Sequence, residues 1–207
     1  MNDLKVVLVG GPPRGKTTLA RSIAGRLGFA STTVDDLVTT ARFTTSAETH
    51  PALHQMAGVG HVRYFTTGPP ERLIADAEQV SEMMWPIIDL IVRRHISSSN
   101  PVVLDWWLFS PLRVSQIADP RVASLWLHID PDALDRRERA ITDFREGASD
   151  PNRMHSNFMQ RSLWRNGLVA AQAADLGLPL LYQPGDRSVE DLTDAAIVHL
   201  RRARSLP

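Results

Sequence analysis

The feature that most constrains this chain is the stretch GGPPRGKTT at residues 10–18, which follows an apolar run from Leu4 to Val9. An apolar strand, a glycine-containing loop that closes on Gly-Lys-Thr, and a helical pattern, in that order, are typical of a phosphate-binding loop. The glycines let backbone N–H groups turn toward one anion, and the positive end of the following helix faces the same anion. We therefore expect Lys16 to reach the β and γ phosphates of a nucleoside triphosphate, and Thr17 to ligate Mg²⁺.

The loop also predicts the wider set of residues that contact the nucleotide, which are Gly11, Arg14, Gly15, Lys16, Thr17 and Thr18. Pro13 is unusual in the middle of such a loop because proline has no N–H to donate to a phosphate. The side chain of Arg14 either replaces that donor or points into solvent, and the sequence leaves both interpretations open.

Composition limits the class of protein. A length of 207 residues suits one domain, residues 1–207, with a substantial core. Basic and acidic residues balance at 23 each, so nucleic acid is not an expected partner, and the absence of cysteine excludes disulfides and thiol catalysis. The chain has no apolar run long enough to cross a bilayer, and we expect a cytoplasmic monomer or homodimer with no membrane partner.

Apolar runs alternate with helical patterns along the chain, which predicts an α/β fold with an open sheet. The first strand precedes the phosphate loop, and we expect four more strands at residues 31–34, 101–105, 121–129 and 178–182. A long helical pattern covers residues 71–96, and Pro86 within it is expected to kink or split the helix.

Two aspartates, Asp35 and Asp36, follow the second predicted strand. Ligands of open α/β sheets bind at the carboxyl ends of the strands, where a carboxylate can accept a proton from an acceptor hydroxyl. The alternative is that one aspartate only caps the next helix. Both interpretations hold together if Asp35 faces the site and Asp36 lies in the first helical turn.

A second carboxylate is expected beside the metal. The third predicted strand ends at Asp105, which matches the pattern of an aspartate placed next to the loop threonine to hold Mg²⁺. Asp130 is a weaker candidate, because the proline after it indicates a helix cap. Trp106 and Trp107 follow Asp105, and we expect one of them to wall an acceptor pocket and the other to fill the core.

The insertion at about residues 42–70 has no sustained periodicity, and we expect it to be loop-rich and to build the acceptor pocket. Arg42 and Arg63 are the candidates for holding an anionic or polar acceptor. Three histidines in this stretch allow a zinc interpretation, but their spacing comes without a fixed carboxylate partner, so we rank it lower.

Arginines cluster between about residues 136 and 165, on two helical patterns joined by a turn-rich segment. Planar guanidinium groups on a mobile lid stabilise the charge on a transferring phosphoryl group and exclude water. We expect such a lid here, with Arg137 and Arg139 as the catalytic arginines and Arg145 next. The turn around Gly185 is expected to lie near the phosphate loop and to contact the base of the nucleotide.

Four short segments, in this order, cover nearly the whole chain and resemble the P-loop small-molecule kinases of the nucleoside-monophosphate-kinase-like fold, nearest to 2-phosphoglycerate kinase and chloramphenicol phosphotransferase. They are residues 10–18, 34–37, 102–105 and 134–139. The resemblance implies a five-stranded parallel sheet with flanking helices and an Arg-rich helical lid, and the transfer of the γ-phosphoryl of ATP, with Mg²⁺, to a small hydroxyl compound. By this resemblance, Asp35 corresponds to the family's catalytic base, and the family's lid arginines correspond to the region of residues 136–145. Pro13 and the tryptophan pair depart from the family pattern. The alternative function is a nucleotide-binding regulatory module without phosphotransfer.

Overall fold

The computed structural model describes residues 3–202 and contains one parallel sheet of five strands. In spatial order β2-β3-β1-β4-β5, the sheet places β1 at the centre, between β3 and β4. The strands are β1 (Val6–Gly10), β2 (Ala30–Thr33), β3 (Val102–Trp106), β4 (Val122–Ile129) and β5 (Leu180–Gln183).

Eight α-helices connect and cover the strands. They are α1 (Lys16–Leu27), α2 (Val34–Thr44), α3 (Gly60–Thr67), α4 (Pro70–Ile96), α5 (Pro111–Ser115), α6 (Pro131–Arg139), α7 (Pro151–Asp175) and α8 (Val189–Arg202), with short 3-10 turns at Pro51–Leu53 and Asp143–Arg145. Within residues 3–202, no helix has both the length and the apolar character needed to cross a membrane.

The two faces of the sheet carry separate hydrophobic cores. Successive side chains of a strand point to opposite faces, so Val6 and Leu8 of β1 join one core while Val7 and Val9 join the other. Helices α2, α4 and α7 cover the first face, and α1, α6 and α8 cover the second. The predicted three-layer α/β fold with a five-stranded parallel sheet is therefore confirmed.

Several local predictions need correction. Helix α4 runs without a break from Pro70 to Ile96, with Pro86 inside it, so the helix is not split there. Its buried stripe includes Val80, Met84 and Ile88 on both sides of the proline, and this packing holds the helix together where propensity alone would end it. Strand β2 ends at Thr33, so Val34 already begins α2.

The insertion at residues 42–70 is more ordered than the sequence predicts, because it contains helix α3. A small third core joins Tyr64 and Phe65 of α3 to Met154 and Phe158 of α7, and Phe144 packs against it. Beyond the predicted carboxyl end of the lid, at about residue 165, helix α7 continues to Asp175. It sends Val169 and Ala173 into the main core, so this part of α7 belongs to the layer that covers the sheet.

Candidate active site

The phosphate loop connects β1 to α1, and its glycines are required by its geometry. Gly15 precedes α1 with φ of +88°, in the left-handed region, and no side chain caps the helix. A Cβ atom on Gly11 would lie 2.6 Å from the carbonyl oxygen of Leu127, which is too close for any other residue. The first N–H groups of α1 are therefore left without side-chain partners at an open helix end, which is the arrangement that binds phosphate.

Lys16 is buried at the start of α1, and its Nζ donates a hydrogen bond to the carbonyl oxygen of Pro12 at 2.9 Å. Burial lowers the pKa of the Lys16 ammonium to about 8, while the carboxylates of Asp35 and Asp105 act in the opposite direction. The lysine is thus held over the loop in a setting where an added negative charge would stabilise its charged form.

Thr17 and Asp105 meet beside the loop. Strand β3 pairs with β1 so that Asp105 lies opposite Val9, and the Thr17 hydroxyl donates to Asp105 Oδ2 at 2.8 Å. The other oxygen, Oδ1, is buried and has no hydrogen-bond partner in the described part of the chain. Burial raises the pKa of the Asp105 carboxyl, against the hydroxyl bond from Thr17 and the charge of Lys16.

This pair fits Mg²⁺. The ion is usually held by one or two protein oxygens together with substrate phosphates and water, and the unpartnered Oδ1 is such an oxygen. A group of three or more acidic, histidine or cysteine side chains that could hold a metal by itself is absent from residues 3–202. Asp130, the weaker candidate, caps α6 by accepting from the N–H groups of Asp132 and Ala133.

Asp35 lies in the first turn of α2, where Thr33 serves as the N-cap. Its Oδ1 accepts a hydrogen bond from the indole N–H of Trp106 at 3.1 Å. Asp35 is exposed by surface area, and partial desolvation of its carboxyl by the surrounding residues raises its pKa while Lys16 opposes the rise. Asp35, Lys16 and Asp105 therefore interact electrostatically, and of the two adjacent aspartates only Asp35 lines the neighbouring cavity.

A cavity of about 330 Å³ opens next to this group. Pro13, Arg14 and Asp35 form one part of its wall, and aromatic side chains form much of the remainder: Tyr64, Phe65, Trp106, Trp107, Phe144 and Phe158. The volume is at the lower end of the range for small-molecule sites, about 300–1,000 Å³. The cavity therefore suits a compact ligand beside the phosphate loop.

The structure separates the predicted acceptor residues. Arg42 lines the cavity, with its Nε donating to the carbonyl oxygen of Leu53 at 2.8 Å. Arg63 does not line it: on α3, Tyr64 and Phe65 are turned inward and Arg63 is exposed, so the structure does not bring it together with the other acceptor candidates. Both tryptophans line the cavity, but Trp106 also fills the core, while Trp107 is half-buried.

Neither sequence interpretation of Arg14 matches the structure. Its guanidinium forms two hydrogen bonds to the carboxylate of Glu138 on α6, at 2.7 and 3.0 Å. Glu138 is only 3% exposed, and no sequence motif singles it out as the partner of Arg14. The side chain of Arg14 is thus paired with an acidic partner, and the assignment of Arg14 as a nucleotide ligand stays a prediction.

The lid arginines have distinct partners. Arg137 Nη2 donates to the carbonyl oxygen of Gly185 at 3.4 Å, and its Nη1 lies 3.5 Å from the place a Cβ of Gly15 would take, so Arg137 and Gly185 both lie near the phosphate loop. Arg139 is exposed and paired with Asp135 at 2.7 Å. Arg145 donates to the carbonyl oxygen of Arg139 and to His155 Nδ1. Of the three, Arg137 has the position nearest the loop.

Sequence reasoning missed Arg161 of α7, which is buried and lines the cavity. A signal was present: Phe158, Arg161, Arg165 and Val169 recur at intervals of three or four residues, so two arginines lie on the apolar stripe of one helix. An arginine on such a stripe is either satisfied by buried carbonyls or reserved for a ligand.

A larger cavity of about 840 Å³ lies at the opposite end of the sheet, lined by residues that include Asp3, Val122, Ser124, Pro179 and Leu200. It adjoins the amino ends of β4 and β5, whereas the phosphate loop and Asp35 lie at carboxyl ends of strands. Because ligands of open α/β sheets bind at the carboxyl ends, the smaller cavity is the candidate active site.

Comparisons with known proteins agree with this geometry at the level of the fold. No protein-family model and no curated protein sequence matches the chain. A gluconokinase from Sinorhizobium meliloti 1021 superposes with a TM-score of 0.56 at 18% identity, covering 99% of this chain and 95% of that one. The chain has the P-loop kinase fold.

Two shikimate kinases superpose nearly as well. The enzyme from Bacteroides thetaiotaomicron gives a TM-score of 0.53 at 15% identity and covers 98% of this chain and 99% of its own. The enzyme from Acinetobacter baumannii, solved in complex with shikimate, gives 0.51 at 15% identity, with 99% and 96% covered. At these identities the likeness establishes the architecture, and the activity must be argued from the site.

Proposed function

We propose that this chain is an ATP-dependent phosphotransferase that moves the γ-phosphoryl group of ATP to a hydroxyl of a small molecule. The observation that carries the proposal is the position of Asp35. Its carboxyl lies in the wall of a cavity that also includes Pro13 and Arg14 of the phosphate loop, and it interacts electrostatically with Lys16. A hydroxyl in this cavity would lie between a phosphate-binding loop and a carboxylate.

The proposed reaction balances with these groups. The acceptor oxygen forms a bond to the γ-phosphorus, the bond from that phosphorus to the oxygen bridging the β and γ phosphates breaks, and ADP leaves. The hydroxyl proton passes to the Asp35 carboxylate, whose raised pKa makes it a better base than an ordinary aspartate. Lys16 and the N-terminal N–H groups of α1 stabilise the negative charge on the phosphoryl oxygens.

Thr17 and Asp105 would hold Mg²⁺ together with the phosphates. When bound, the ion neutralises charge on the phosphate oxygens. Arg137, next to the loop, is the proposed lid arginine. Arg139 would first have to leave Asp135 in order to contribute.

The structural neighbours are a gluconokinase and two shikimate kinases, which supports a kinase of small hydroxyl-bearing molecules. The narrower resemblance, to 2-phosphoglycerate kinase and chloramphenicol phosphotransferase, stays a prediction. So do cytoplasmic localisation and the monomeric or dimeric state.

The test compares Asp35→Asn with Asp36→Asn in an ATP-consumption assay against a panel of alcohols, sugars and hydroxy acids. Asp36 is the matched control because it is the next residue, carries the same charge and does not line the cavity. We expect Asp35→Asn to lower kcat by about 10²–10⁴-fold, the usual contribution of a general base, with nucleotide affinity kept. Asp36→Asn should turn over normally. Full turnover by Asp35→Asn would place the base elsewhere.

The alternative, a regulatory module that binds the nucleotide without phosphotransfer, predicts a different pattern. Wild type would bind Mg·ATP and consume none of it with any member of the panel. Asp35→Asn would then be indistinguishable from wild type in every assay.

A further inference from the structure

Arg161 is a buried cation without a polar partner. The residue is 9% exposed, and its guanidinium carbon lies 4.5, 4.7 and 4.9 Å from the ring centroids of Trp107, Phe65 and Phe158. Its Nε is buried with no hydrogen-bond acceptor, and within residues 3–202 the side chain makes no hydrogen bond or ion pair. Aromatic faces attract the cation, but they offer no acceptor for its N–H groups.

Arg165, one helical turn further along α7, has a different environment. It is equally buried, but its guanidinium donates to the backbone carbonyl oxygens of Trp107 and Phe109. A buried guanidinium is normally satisfied in this way, because removing a charge from water without compensation is costly. Burial lowers the pKa of Arg161 to about 10, while Tyr64 and the carboxylate of Glu138 act in the opposite direction without forming a hydrogen bond or ion pair with it.

Arg161 lines the same 330 Å³ cavity as Asp35. Among the other charged residues of the wall, Arg14 is neutralised by Glu138, and Arg42 has one N–H bonded to the Leu53 carbonyl. Two guanidinium groups, Arg42 and Arg161, therefore face a cavity whose single carboxylate is Asp35. The cavity has an excess of positive charge and unused N–H donors.

We propose that Arg161 binds an anionic group of the acceptor, so that the acceptor carries a carboxylate or a phosphate ester in addition to the hydroxyl that receives the phosphoryl group. This rests on the proposed function for the role of the hydroxyl, whereas the binding of the anion does not require transfer. The three rings hold the guanidinium in place and exclude water, and the anion supplies the acceptors that the protein leaves out. Arg42 is the second cation available to the same group.

The experiment measures anion binding directly. Wild type, saturated with Mg²⁺ and a non-hydrolysable ATP analogue so that the phosphate loop is occupied, is titrated by calorimetry with benzoate and, separately, with benzamide. The two probes share a ring that suits the aromatic wall and differ in charge. We expect benzoate to bind with a Kd of about 1 mM or tighter, and benzamide to bind at least about tenfold more weakly, since hydrogen bonds to charged groups exceed neutral ones.

The decisive variant is Arg161→Met, with Arg153→Met as the matched control. Arg153 is an exposed arginine on the same helix and does not line the cavity. Arg161→Met should weaken the binding of benzoate by about 10- to 100-fold, and Arg153→Met should leave its Kd unchanged. The proposal is overturned if wild type does not bind benzoate, if benzamide binds equally well, or if Arg161→Met binds as wild type does. Phenyl phosphate, titrated in the same way, shows whether the site prefers a phosphate ester to a carboxylate.

Thermal unfolding in the absence of ligands gives a second, independent readout. Arg161→Met removes a buried cation that has no hydrogen-bond partner and should keep or raise the Tm, whereas Arg165→Met leaves two buried carbonyls unsatisfied and should lower it. A large loss of Tm in Arg161→Met would mean that the arginine has a structural role, and would overturn the proposal. Because none of these measurements requires turnover, a failed phosphotransfer assay and a failed anion site are distinguished.

Discussion

The two carboxylate oxygens of Glu138 accept hydrogen bonds from Nε and Nη2 of Arg14, which ties helix α6 to the phosphate loop. The pair joins positions 124 residues apart in the sequence. Arg14 is also the loop side chain that could have replaced the N–H donor missing at Pro13, and its pairing with Glu138 occupies it. Helix α6, which also carries the proposed lid arginine Arg137, therefore stabilises the phosphate loop through this ion pair.

The two members of this pair should not contribute equally to stability. Glu138 is buried while Arg14 is 34% exposed, so removing the arginine leaves a buried carboxylate unpaired, whereas a freed arginine can turn to water. We expect Arg14→Ala to lower the free energy of unfolding by about 1–3 kcal/mol and Glu138→Gln to lower it by less, both measured by urea denaturation. The double variant should regain part of the loss of Arg14→Ala. A larger cost for Glu138→Gln would contradict this account of the pair.

Lys16 should make nucleotide binding depend on pH. Burial lowers its pKa from 10.5 to about 8, so the free protein holds the proton at pH 7 and has lost most of it at pH 9. Bound phosphate favours the charged form and raises the pKa again. Binding of Mg·ATP at pH 9 should therefore take up close to one proton, and at pH 7 almost none from this group.

Calorimetry in buffers of different ionisation enthalpy measures this proton uptake. Lys16→Arg is the control, because arginine stays protonated throughout this range, and its uptake between pH 7 and 9 should not change. Equal uptake by wild type at both pH values would show that the lysine does not contact the phosphates.

Asp105 should strengthen the binding of Mg·ATP without adding to the stability of the unliganded protein. Asp105→Asn keeps an acceptor for the Thr17 hydroxyl and removes a buried negative charge, so the free energy of unfolding of the unliganded protein should stay the same or rise. Its affinity for ATP in Mg²⁺ should fall toward the value measured in EDTA.

Asp130→Asn is the matched control, since asparagine also caps helices well and Asp130 caps α6 through Oδ1 and accepts from the Tyr182 hydroxyl through Oδ2. It should keep the full effect of Mg²⁺ on nucleotide affinity. If Asp105→Asn kept the effect of Mg²⁺ and Asp130→Asn lost it, Asp130 and not Asp105 would be the metal ligand.

The parts of the site that follow local rules were predictable from sequence. The phosphate loop is fixed by glycine conformation and by the order strand, loop, helix, and Asp105 follows because β3 is the neighbour of β1. Asp35 was predicted from its place after the second strand, but its bond to the Trp106 indole depends on two segments 71 residues apart. No local pattern contains that contact.

The acceptor cavity could not be predicted because it is assembled from separate helices. Arg63 was chosen from its neighbours Tyr64 and Phe65, yet helical geometry turns those rings inward and the arginine outward. The apolar stripe of α7 places Arg161 and Arg165 on one buried face, but only the packing of α7 against α3 and Trp107 shows that Arg161 meets aromatic rings and Arg165 meets carbonyls. Which arginine of a cluster faces a ligand is decided by tertiary packing.

The most direct test of the central claim is the calorimetric titration of Mg·ATP into wild type, Lys16→Ala and Lys5→Ala. Lys5 is the only other lysine of the chain and precedes β1, at the opposite end of that strand from the phosphate loop. Wild type and Lys5→Ala should bind with the same affinity, and Lys16→Ala should bind at least about tenfold more weakly, the loss expected for a charged hydrogen bond. No heat of binding with wild type, or equal affinity in Lys16→Ala, would contradict a triphosphate bound at the start of α1.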